Sequence, residues 1–139
     1  MRANVYRPNQ PLCQPKTPGT CLCNVSHREP LVQCKENAVY SIPLKCGQMY
    51  IGQTSRCVNQ RLREHVLSVK NESPVSELVA HLCECQSCKP LFEDTAILAV
   101  ERNKYRRLLR ESLEICKREN AVSNPSLLPL SPICRFLGI

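Results

Sequence analysis

The hydrophobic pattern becomes regular in two short β-prone runs. Residues 38–42 form the first run, which Pro43 ends, and residues 48–52 form the second. Cys46 and Gly47 lie between the runs and can supply a tight turn. The pattern therefore predicts a β-hairpin.

Helical spacing follows the hairpin. From about residue 55 to residue 70, the apolar residues Leu62, Val66 and Val69 recur on one side of a predicted helix. Ser73 and Pro74 are a suitable N-cap and first helical residue, so we expect a second, short helix that ends near residue 82.

A third strand and a third helix complete the pattern. Residues 95–100 are almost continuously apolar, which predicts a buried strand. Residues 104–119 predict a helix with one apolar stripe, formed by Tyr105, Leu108, Leu109, Ser112, Leu113 and Cys116. The order β-β-α-α-β-α predicts an α+β fold with a small, mainly antiparallel three-stranded sheet flanked by helices.

Proline marks both ends of the chain. Five prolines and no apolar periodicity in residues 1–33 predict a Pro/Cys-rich, poorly ordered arm. Residues 34–125 hold every predicted element, and residues 126–139 are a Pro-rich tail. With 139 residues, of which 42% are hydrophobic, the chain has room for one modest domain and its core.

The chain is basic, with 19 Lys and Arg against 12 Asp and Glu and a net charge of +7. Such a surface suits a polyanion such as DNA, because Lys and Arg release the counterions of phosphates. Solvated faces can carry the same charge without a partner. The DNA-binding candidates crowd two short stretches: Arg56, Arg63, Lys104, Arg106, Arg107 and Arg110.

Location and redox state follow from features that the sequence lacks. No apolar run approaches the ~20 residues of a membrane span, and the N-terminus lacks the apolar segment of a secretory signal. Unless the chain is a processed fragment of a longer polyprotein, we expect an intracellular, nuclear protein with no membrane partner. The 11 cysteines then indicate reduced thiols, some on zinc; a disulfide-rich secreted protein is the alternative.

Four residues of the hairpin and the first helix can carry phosphate chemistry. Tyr40 and Tyr50 lie on the two strands, where tyrosines also serve as ordinary packing residues. Arg61 and His65 are one helical turn apart, so a guanidinium and a titratable imidazole share one face. A solvated helix edge is the competing interpretation of this pair.

Two acids on the last helix compete for a metal-binding role. Helical geometry places Glu114 opposite the apolar stripe, in water, and Glu111 at the margin of the stripe. A carboxylate at that margin can hold a hard divalent cation whose shell water completes. A helical salt bridge between Glu111 and Arg107 fits the spacing equally well.

The stretch AVYSIPLKCGQMYIGQTSRCVNQRLREH resembles the catalytic hairpin and helix of the GIY-YIG endonuclease superfamily. The likeness is greatest to the version found in Penelope-like and related arthropod retroelement proteins. SELVAHLCECQSCKPLFEDTAILAV and RRLLRESLEI continue it, so it covers roughly residues 27–125. YIG is intact as Tyr50, Ile51 and Gly52, whereas the first motif keeps Tyr40 and has lost its glycine.

The resemblance implies a DNA endonuclease that hydrolyses a phosphodiester with one metal ion. Tyr40 and Tyr50 match the motif tyrosines, one of which orients or deprotonates the attacking water. Arg61 matches the arginine that steadies the scissile phosphate as charge builds. His65 matches a helix position that is His in some members and Tyr in others.

The same resemblance implies the metal and the partners. Glu111 matches the single acid that binds Mg²⁺ or Mn²⁺. Asn124 is assigned to the late polar residue of the family, with Asn120 as its rival. DNA is the implied substrate, and a reverse transcriptase in the same parent polyprotein is an implied partner.

Side-chain alternation constrains this assignment. A two-residue turn at Cys46 and Gly47 would put Tyr40 and Tyr50 on opposite faces of the sheet. A shared site therefore requires an odd-residue loop or a bulge, which we expect at Pro43.

A small structural zinc site is also implied by the resemblance. Thiolate and imidazole ligands for Zn²⁺ come from the hairpin loop and a downstream cysteine loop: Cys46, His81, Cys85 and Cys88. Leu44 stands where relatives often have a second cysteine, and Cys34 and Cys83 are substitute ligands. Unligated thiols are the alternative, which is favoured for Cys13, Cys21, Cys23, Cys57, Cys116 and Cys134.

A second function stays open, namely a decayed domain that binds nucleic acid or zinc without cutting. The missing first-motif glycine favours it, as does Gln53, where some relatives carry Lys. Binding that weakens steeply with salt, without Mg²⁺-dependent cleavage, is the expected signature of such a module.

Overall fold

The computed structural model describes residue 27 and residues 29–125. Most of the predicted arm and all of the predicted tail therefore lie outside the described residues. The elements are β1 (Ala38–Pro43), β2 (Met49–Thr54), α1 (Val58–Lys70), α2 (Glu77–Glu84), a 3₁₀ turn (Phe92–Asp94), β3 (Ala96–Val100) and α3 (Lys104–Cys116). The three strands form one antiparallel sheet, which confirms the α+β class and the predicted order.

The hairpin between β1 and β2 closes through residues 45–47. The N–H of Leu44 donates to the carbonyl of Gln48 at 2.9 Å, so the strand pairing extends to these two residues. Gly47 has a φ of +93°, in the left-handed region that favours glycine. The loop thus has three residues rather than the two that were expected at Cys46 and Gly47.

The odd loop length places Tyr40 and Tyr50 on the same face of the sheet. Tyr40 pairs with Gly52, and Tyr50 lies two positions from Gly52 on the same strand. Pairing at Pro43 is regular, so the bulge expected there is absent from the hairpin. The irregularity lies instead after Val39, where β1 pairs with β3.

β1 is the central strand, in the order β2-β1-β3. Its side chains are buried on both faces, because it has a strand on each side and helices above and below. β3 lies at an edge, and Ala96 and Val100 at its two ends are exposed. The prediction of a buried third strand is therefore wrong, since an edge strand has only one neighbour in the sheet.

Two apolar clusters cover the two faces of the sheet. On one face, Tyr40 and Ile42 pack with Leu62 of α1 and Leu78 of α2. On the other face, Val39 and Ile51 pack with Ile115 of α3. The sheet therefore lies between α1 and α2 on one side and α3 on the other.

The N-cap of α2 is Ser76 rather than Ser73. The hydroxyl of Ser76 accepts the N–H of Val79 at 3.3 Å, which caps the first turn. Glu77 adds a negative charge where the helix dipole favours it. The expected cap at Ser73 and Pro74 is thus wrong, because Ser76 offers both a cap and an acidic first turn.

The buried face of α3 differs from the predicted apolar stripe, of which Ser112 alone is fully buried. Tyr105 is 75% exposed and Leu109 is 42% exposed. The buried residues of α3 are instead mostly polar or charged: Arg107, Glu111, Ser112, Glu114 and Ile115. Hydrogen bonds to these charges offset the cost of burying them, so the most apolar side of the helix need not face inward.

The length and composition of the helices also bear on membranes. None of the described helices combines the length and the apolar character that a membrane crossing requires.

Candidate functional site

Three aromatic rings meet on one face of the sheet. The hydroxyl of Tyr40 lies 2.8 Å from Nε2 of His65, across β1 and α1. The ring centroids of Tyr50 and His65 are 4.9 Å apart, with the planes at 70°. Tyr40 and His65 are both buried, at 0% and 3% exposure. The imidazole is therefore a fixed part of the site and not a solvated helix edge.

Gly52 makes this close packing possible. A Cβ atom built on Gly52 would lie 2.6 Å from the hydroxyl oxygen of Tyr40 and 3.1 Å from Cε1 of Tyr50. The first of these distances is shorter than the van der Waals contact of a carbon and an oxygen atom, so any side chain at this position would force Tyr40 to move. The glycine of the YIG motif thus leaves the space in which the phenol ring of Tyr40 crosses β2.

Burial sets the protonation state of these rings. Burial and, after it, the charge of Arg61 together lower the pKa of His65 from 6.5 to about 4. Burial likewise raises the pKa of Tyr40 and of Tyr50. At neutral pH the imidazole is therefore neutral, with one nitrogen able to accept a proton, and both phenols keep their protons.

Arg61 is placed beside this cluster by Glu64. Its Nη1 donates to Oε1 of Glu64 at 2.8 Å. Arg56 binds the same carboxylate with two hydrogen bonds, of 2.7 and 3.0 Å. The charge of Arg61 acts on both tyrosines, opposing the rise that burial causes in the pKa of Tyr40 and Tyr50. A shared carboxylate thus orients two guanidinium groups at the edge of the cluster.

A basic cleft of about 550 Å³ opens next to the tyrosine cluster. Five cations line it: Arg56, Arg61, Arg102, Lys104 and Arg107. Three of them were predicted as DNA-binding residues, whereas the predicted Arg63, Arg106 and Arg110 are not among the lining residues. Arg61 belongs to both the cleft and the tyrosine cluster, so the two features are continuous.

Arg107 has a structural task within this cleft. It is 4% exposed, and its Nε donates to Oε1 of Gln53 at 2.7 Å. Its Nη1 donates to the carbonyl of Glu101 at 3.1 Å and to Oδ1 of Asn37 at 3.4 Å. The guanidinium therefore joins α3 to β2 and to the residues that flank β1 and β3, while one side of it lines the cleft.

The two acids of α3 have different surroundings. Glu111 is 5% exposed, and its charge, after burial itself, contributes to the raised pKa of both Tyr40 and Tyr50. It therefore lies within electrostatic reach of the tyrosine cluster.

Glu114, predicted to face water, is only 3% exposed. Burial raises its pKa, but hydrogen bonds from Arg118, Arg110 and Lys117 outweigh burial and bring the pKa of Glu114 to about 2. The expectation of a solvated Glu114 is wrong, because three neighbouring cations compensate a buried carboxylate.

The two asparagines considered for the late polar residue lie apart. The side-chain amide of Asn120 donates to the carbonyl of Gly47 at 3.1 Å, at the hairpin loop. The backbone N–H of Asn124 donates to Oε2 of Glu77 at 2.6 Å. Burial is the main cause of the raised pKa of Tyr50; the charge of Arg61 opposes the rise, and the charge of Glu77 adds to it. Asn124 is thus connected to the tyrosine cluster through Glu77.

Two residues near the site were not singled out from the sequence. Glu77 begins α2 directly after its cap, and this N-cap pattern is the signal that could have drawn attention to it. Ser123 is buried, and its Oγ accepts the N–H of Ile51 at 3.0 Å, so it fastens the chain after α3 to the outer edge of β2. A single serine in a loop carries no such signal.

The predicted metal ligands form a cluster. The ligand atoms of Cys46, His81, Cys85 and Cys88 all lie within 4.8 Å of one another. Sγ of Cys46 lies 3.4 Å from Nε2 of His81. Tetrahedral zinc separates its ligand atoms by roughly 3.3–3.8 Å, as follows from its bond lengths. This cluster can therefore hold a metal ion after a small contraction.

The substitute ligands lie outside this cluster. Cys83 is exposed and is not a member of it, and Leu44 is buried in the core, where its backbone pairs with Pro90. Cys34 is disulfide-bonded, whereas the other six cysteines in the described part of the chain carry reduced thiols. The expectation of reduced thiols is therefore wrong for Cys34.

The site residues thus fall into a tyrosine cluster with Arg61, a basic cleft, and a separate metal cluster. No protein-family model matches this chain, and no curated protein or solved structure matches it either. The functional assignment depends on the chemistry of these residues.

Proposed function

We propose that this chain is a metal-dependent DNA endonuclease domain of the GIY-YIG type, of retroelement origin. The observation that carries the proposal is the position of Arg61, which lies beside the buried Tyr40 and the half-buried Tyr50 and also lines the basic cleft. A phosphate held in the cleft would bring its phosphorus next to a fixed pair of hydroxyl groups and one guanidinium. This combination suits hydrolysis of a phosphodiester.

The cleft supplies the binding energy for a nucleic acid backbone. Three exposed cations line it: Arg56, Arg102 and Lys104. Arg107, by contrast, is buried and makes structural hydrogen bonds. Exposed cations of this kind bind phosphates regardless of base sequence and release counterions as they do so. We expect affinity for duplex DNA that falls steeply with ionic strength.

Tyr40 and His65 would handle the attacking water. A neutral His65 can accept a hydrogen bond from the hydroxyl of Tyr40 at 2.8 Å, which leaves the phenol oxygen free to accept a hydrogen bond from water. Because burial raises the pKa of Tyr40, the phenol acts with its proton in place and not as a phenolate. The pair therefore orients the water. As the water attacks, its proton can pass to the phenol oxygen while the phenol proton passes to the imidazole, so that no phenolate is formed.

Glu111 would hold Mg²⁺ or Mn²⁺. Its carboxylate and the two phenol oxygens are hard donors, the class that these ions prefer, and its charge reaches both tyrosines. When bound, such an ion supplies Lewis-acid polarisation of the phosphoryl oxygen. Arg61 complements it by offsetting the negative charge that grows on the phosphate.

The cluster of Cys46, His81, Cys85 and Cys88 would hold a structural Zn²⁺. Three thiolates and one imidazole are a common ligand set of closed zinc sites. The ligands come from the hairpin loop, from α2 and from the residues just after it. Zinc here would fasten the hairpin loop to α2 and leave the tyrosine cluster to the catalytic ion.

The alternative is a module that grips nucleic acid without cutting it. The five cations of the cleft favour this alternative, because they bind a backbone whether or not Glu111 holds an ion. Ala38 and Val39 precede Tyr40 in place of the intact first motif. In either case we propose an intracellular, nuclear setting and a parent polyprotein that also carries a reverse transcriptase.

Nicking of supercoiled plasmid tests the proposal. We expect the chain to convert supercoiled plasmid to nicked circles with Mg²⁺ or Mn²⁺ and not with EDTA. Arg61→Ala should lower the nicking rate by about 100-fold, the usual effect of removing one charge-stabilising donor. Glu111→Gln should lower it at least as far.

Matched controls separate chemistry from folding and charge. Lys70→Ala removes an exposed cation from the end of α1, and Glu119→Gln neutralises an exposed acid after α3. Both should nick within twofold of the parent chain. DNA binding with no metal-dependent nicking by a folded parent chain would favour the binding module, and equal nicking by Glu111→Gln would contradict the metal assignment.

A further inference from the structure

A second group of cysteine and histidine side chains lies where α1 begins. The ligand atoms of His27, Cys34 and Cys57 all lie within 4.8 Å of one another. Cys34 and Cys57 are buried, at 0% and 1% exposure, and His27 is half-buried. Two sulfurs and an imidazole at such distances match the ligand types of a structural zinc site.

The backbone around Cys57 suits a thiolate. Cys57 occupies the N-cap position of α1, yet its side chain makes no capping hydrogen bond. The N–H of Val58 is instead satisfied by the carbonyl of Lys35, at 2.8 Å. The sulfur is thus directed to His27 and Cys34 rather than to the helix, and the positive end of the helix dipole favours its anionic form.

Asn59 holds the segment of Cys34 against the same helix turn. Its Oδ1 accepts the N–H groups of Leu31 and Val32 at 2.8 and 3.0 Å. Its Nδ2 donates to the carbonyl of Val32 at 2.7 Å and to Sγ of Cys34 at 3.5 Å. The amide is 4% exposed. An N–H donor aimed at sulfur is a typical outer contact of a metal-bound thiolate, because it orients the ligand.

We propose that His27, Cys34 and Cys57 bind a zinc ion that fastens the segment before β1 to the start of α1. Two thiolates and a neutral imidazole balance the charge of Zn²⁺ at a buried position. Water or a fourth side chain fills the remaining tetrahedral position. This site depends neither on the nuclease proposal nor on the zinc ion proposed at Cys46.

Zinc binding here requires reduction of Cys34, which is disulfide-bonded in this structure. Two small-molecule thiols convert the protein disulfide into two protein thiols and leave as one small-molecule disulfide. Zinc then displaces the protons of the Cys34 and Cys57 thiols as the Zn–S bonds form. The disulfide and the zinc site are therefore mutually exclusive states of Cys34.

Zinc content per chain, measured by elemental mass spectrometry on the reduced full-length protein, tests the proposal. We expect two zinc ions in the parent chain, one in Cys57→Ser, one in Cys46→Ser and none in the double variant. Cys116→Ser, which alters a thiol outside both clusters, should keep both ions. Parent protein oxidised before zinc is added should hold one ion fewer.

Equal zinc content in Cys57→Ser and the parent chain overturns the proposal, as does equal content in oxidised and reduced protein. A parent chain with one zinc ion that only Cys57→Ser loses supports this site and contradicts the one at Cys46. If circular dichroism shows that Cys57→Ser is unfolded, His27→Gln replaces it, because that ring is only half-buried. A titration of the parent chain with Co²⁺ should then show thiolate charge-transfer absorption that rises until two equivalents are bound. If the absorption instead saturates at one equivalent, and Cys46→Ser removes that absorption, the proposal is overturned.

Discussion

The hydroxyl of Tyr40 lies 2.8 Å from Nε2 of His65, and both groups are buried. This contact joins the central strand to the first helix and at the same time places Nε2 where the proposed water activation needs a hydrogen-bond acceptor. The same contact therefore serves the fold and the proposed reaction. Variants of these two residues should affect stability and nicking together, and suitable controls can separate the two effects.

Tyr40→Phe removes only the hydroxyl group. The buried Nε2 of His65 then has no hydroxyl partner, which should lower the free energy of unfolding by about 1–3 kcal/mol. Nicking should fall by about 100-fold, because the water loses its orienting group. Chemical denaturation and plasmid nicking measure the two effects. Tyr105→Phe, on an exposed ring, is the control and should change neither; a fully active Tyr40→Phe would exclude a role of the hydroxyl in the reaction.

The buried His65 makes stability depend on pH. Burial first, and then Arg61, lower its pKa from 6.5 to about 4, so between these values the unfolded chain binds a proton that the folded chain does not. The free energy of unfolding should be highest above pH 6.5 and fall by roughly 3 kcal/mol as the pH drops to 4, since a tenfold difference in proton affinity is worth about 1.4 kcal/mol.

Urea denaturation of the parent chain and of His65→Gln across this pH range measures that contribution. The glutamine does not titrate, so the difference in stability between the two proteins should depend on pH in the way described. A difference that stays constant from pH 7 to pH 4 would show that the folded imidazole has an ordinary pKa.

Gly52→Ala and Gly47→Ala form a matched pair of glycine variants. A methyl group at Gly52 would meet the ring of Tyr40, so we expect a loss of about 1–3 kcal/mol and strongly reduced nicking. At Gly47 no atom lies within 4 Å, and the cost is only the strain of a left-handed conformation, roughly 1 kcal/mol. Gly47→Ala should therefore keep its nicking activity. Similar activity losses in both variants would mean that Tyr40 does not have to hold its position.

Glu114→Gln should affect stability and leave the reaction unchanged. It removes the charge that Arg110, Lys117 and Arg118 bind, so the free energy of unfolding should fall by about 1–3 kcal/mol near neutral pH. Because the pKa of Glu114 is lowered from 4.5 to about 2, its contribution is present above pH 4.5 and is lost as the pH falls toward 2. Glu111→Gln should show the opposite behaviour, an intact fold with lost nicking. Loss of nicking in Glu114→Gln at a temperature where it is folded would reverse the assignment of the two acids.

The cluster around Cys46 predicts that metal stabilises the fold. Chelation of zinc from the reduced protein should lower the melting temperature by several degrees, since about 1 kcal/mol corresponds to 4–8 °C in a domain of this size. Cys85→Ser, which loses only this site, should melt below the untreated parent and no lower than the chelated parent. Cys83→Ser changes an exposed thiol two residues away that is outside the cluster, and it should melt like the untreated parent. An unchanged melting temperature on chelation would argue against a structural metal ion.

The sequence by itself determined the order of elements and the α+β class. Alternation of apolar residues over residues 38–42 and helical spacing around Leu62 are local patterns, and burial against any neighbouring layer produces them. The motif Tyr50, Ile51 and Gly52 likewise predicted a strand, and the missing side chain of its glycine leaves room for the ring of Tyr40. The four candidate ligands of the Cys46 cluster were also identified before their distances were known.

Only the tertiary structure decided which charged residues are buried. Local periodicity predicted that Tyr105 is in the core and Glu114 in water. In the structure Tyr105 is exposed and Glu114 is buried, and cations from three positions compensate the Glu114 carboxylate. The partner of His65, the shared position of Arg61 and the meeting of Cys34 with Cys57 depend on contacts between distant segments. A single sequence records the residue types in such contacts and not their distances, because electrostatic compensation and metal-ligand geometry are properties of neighbours in space.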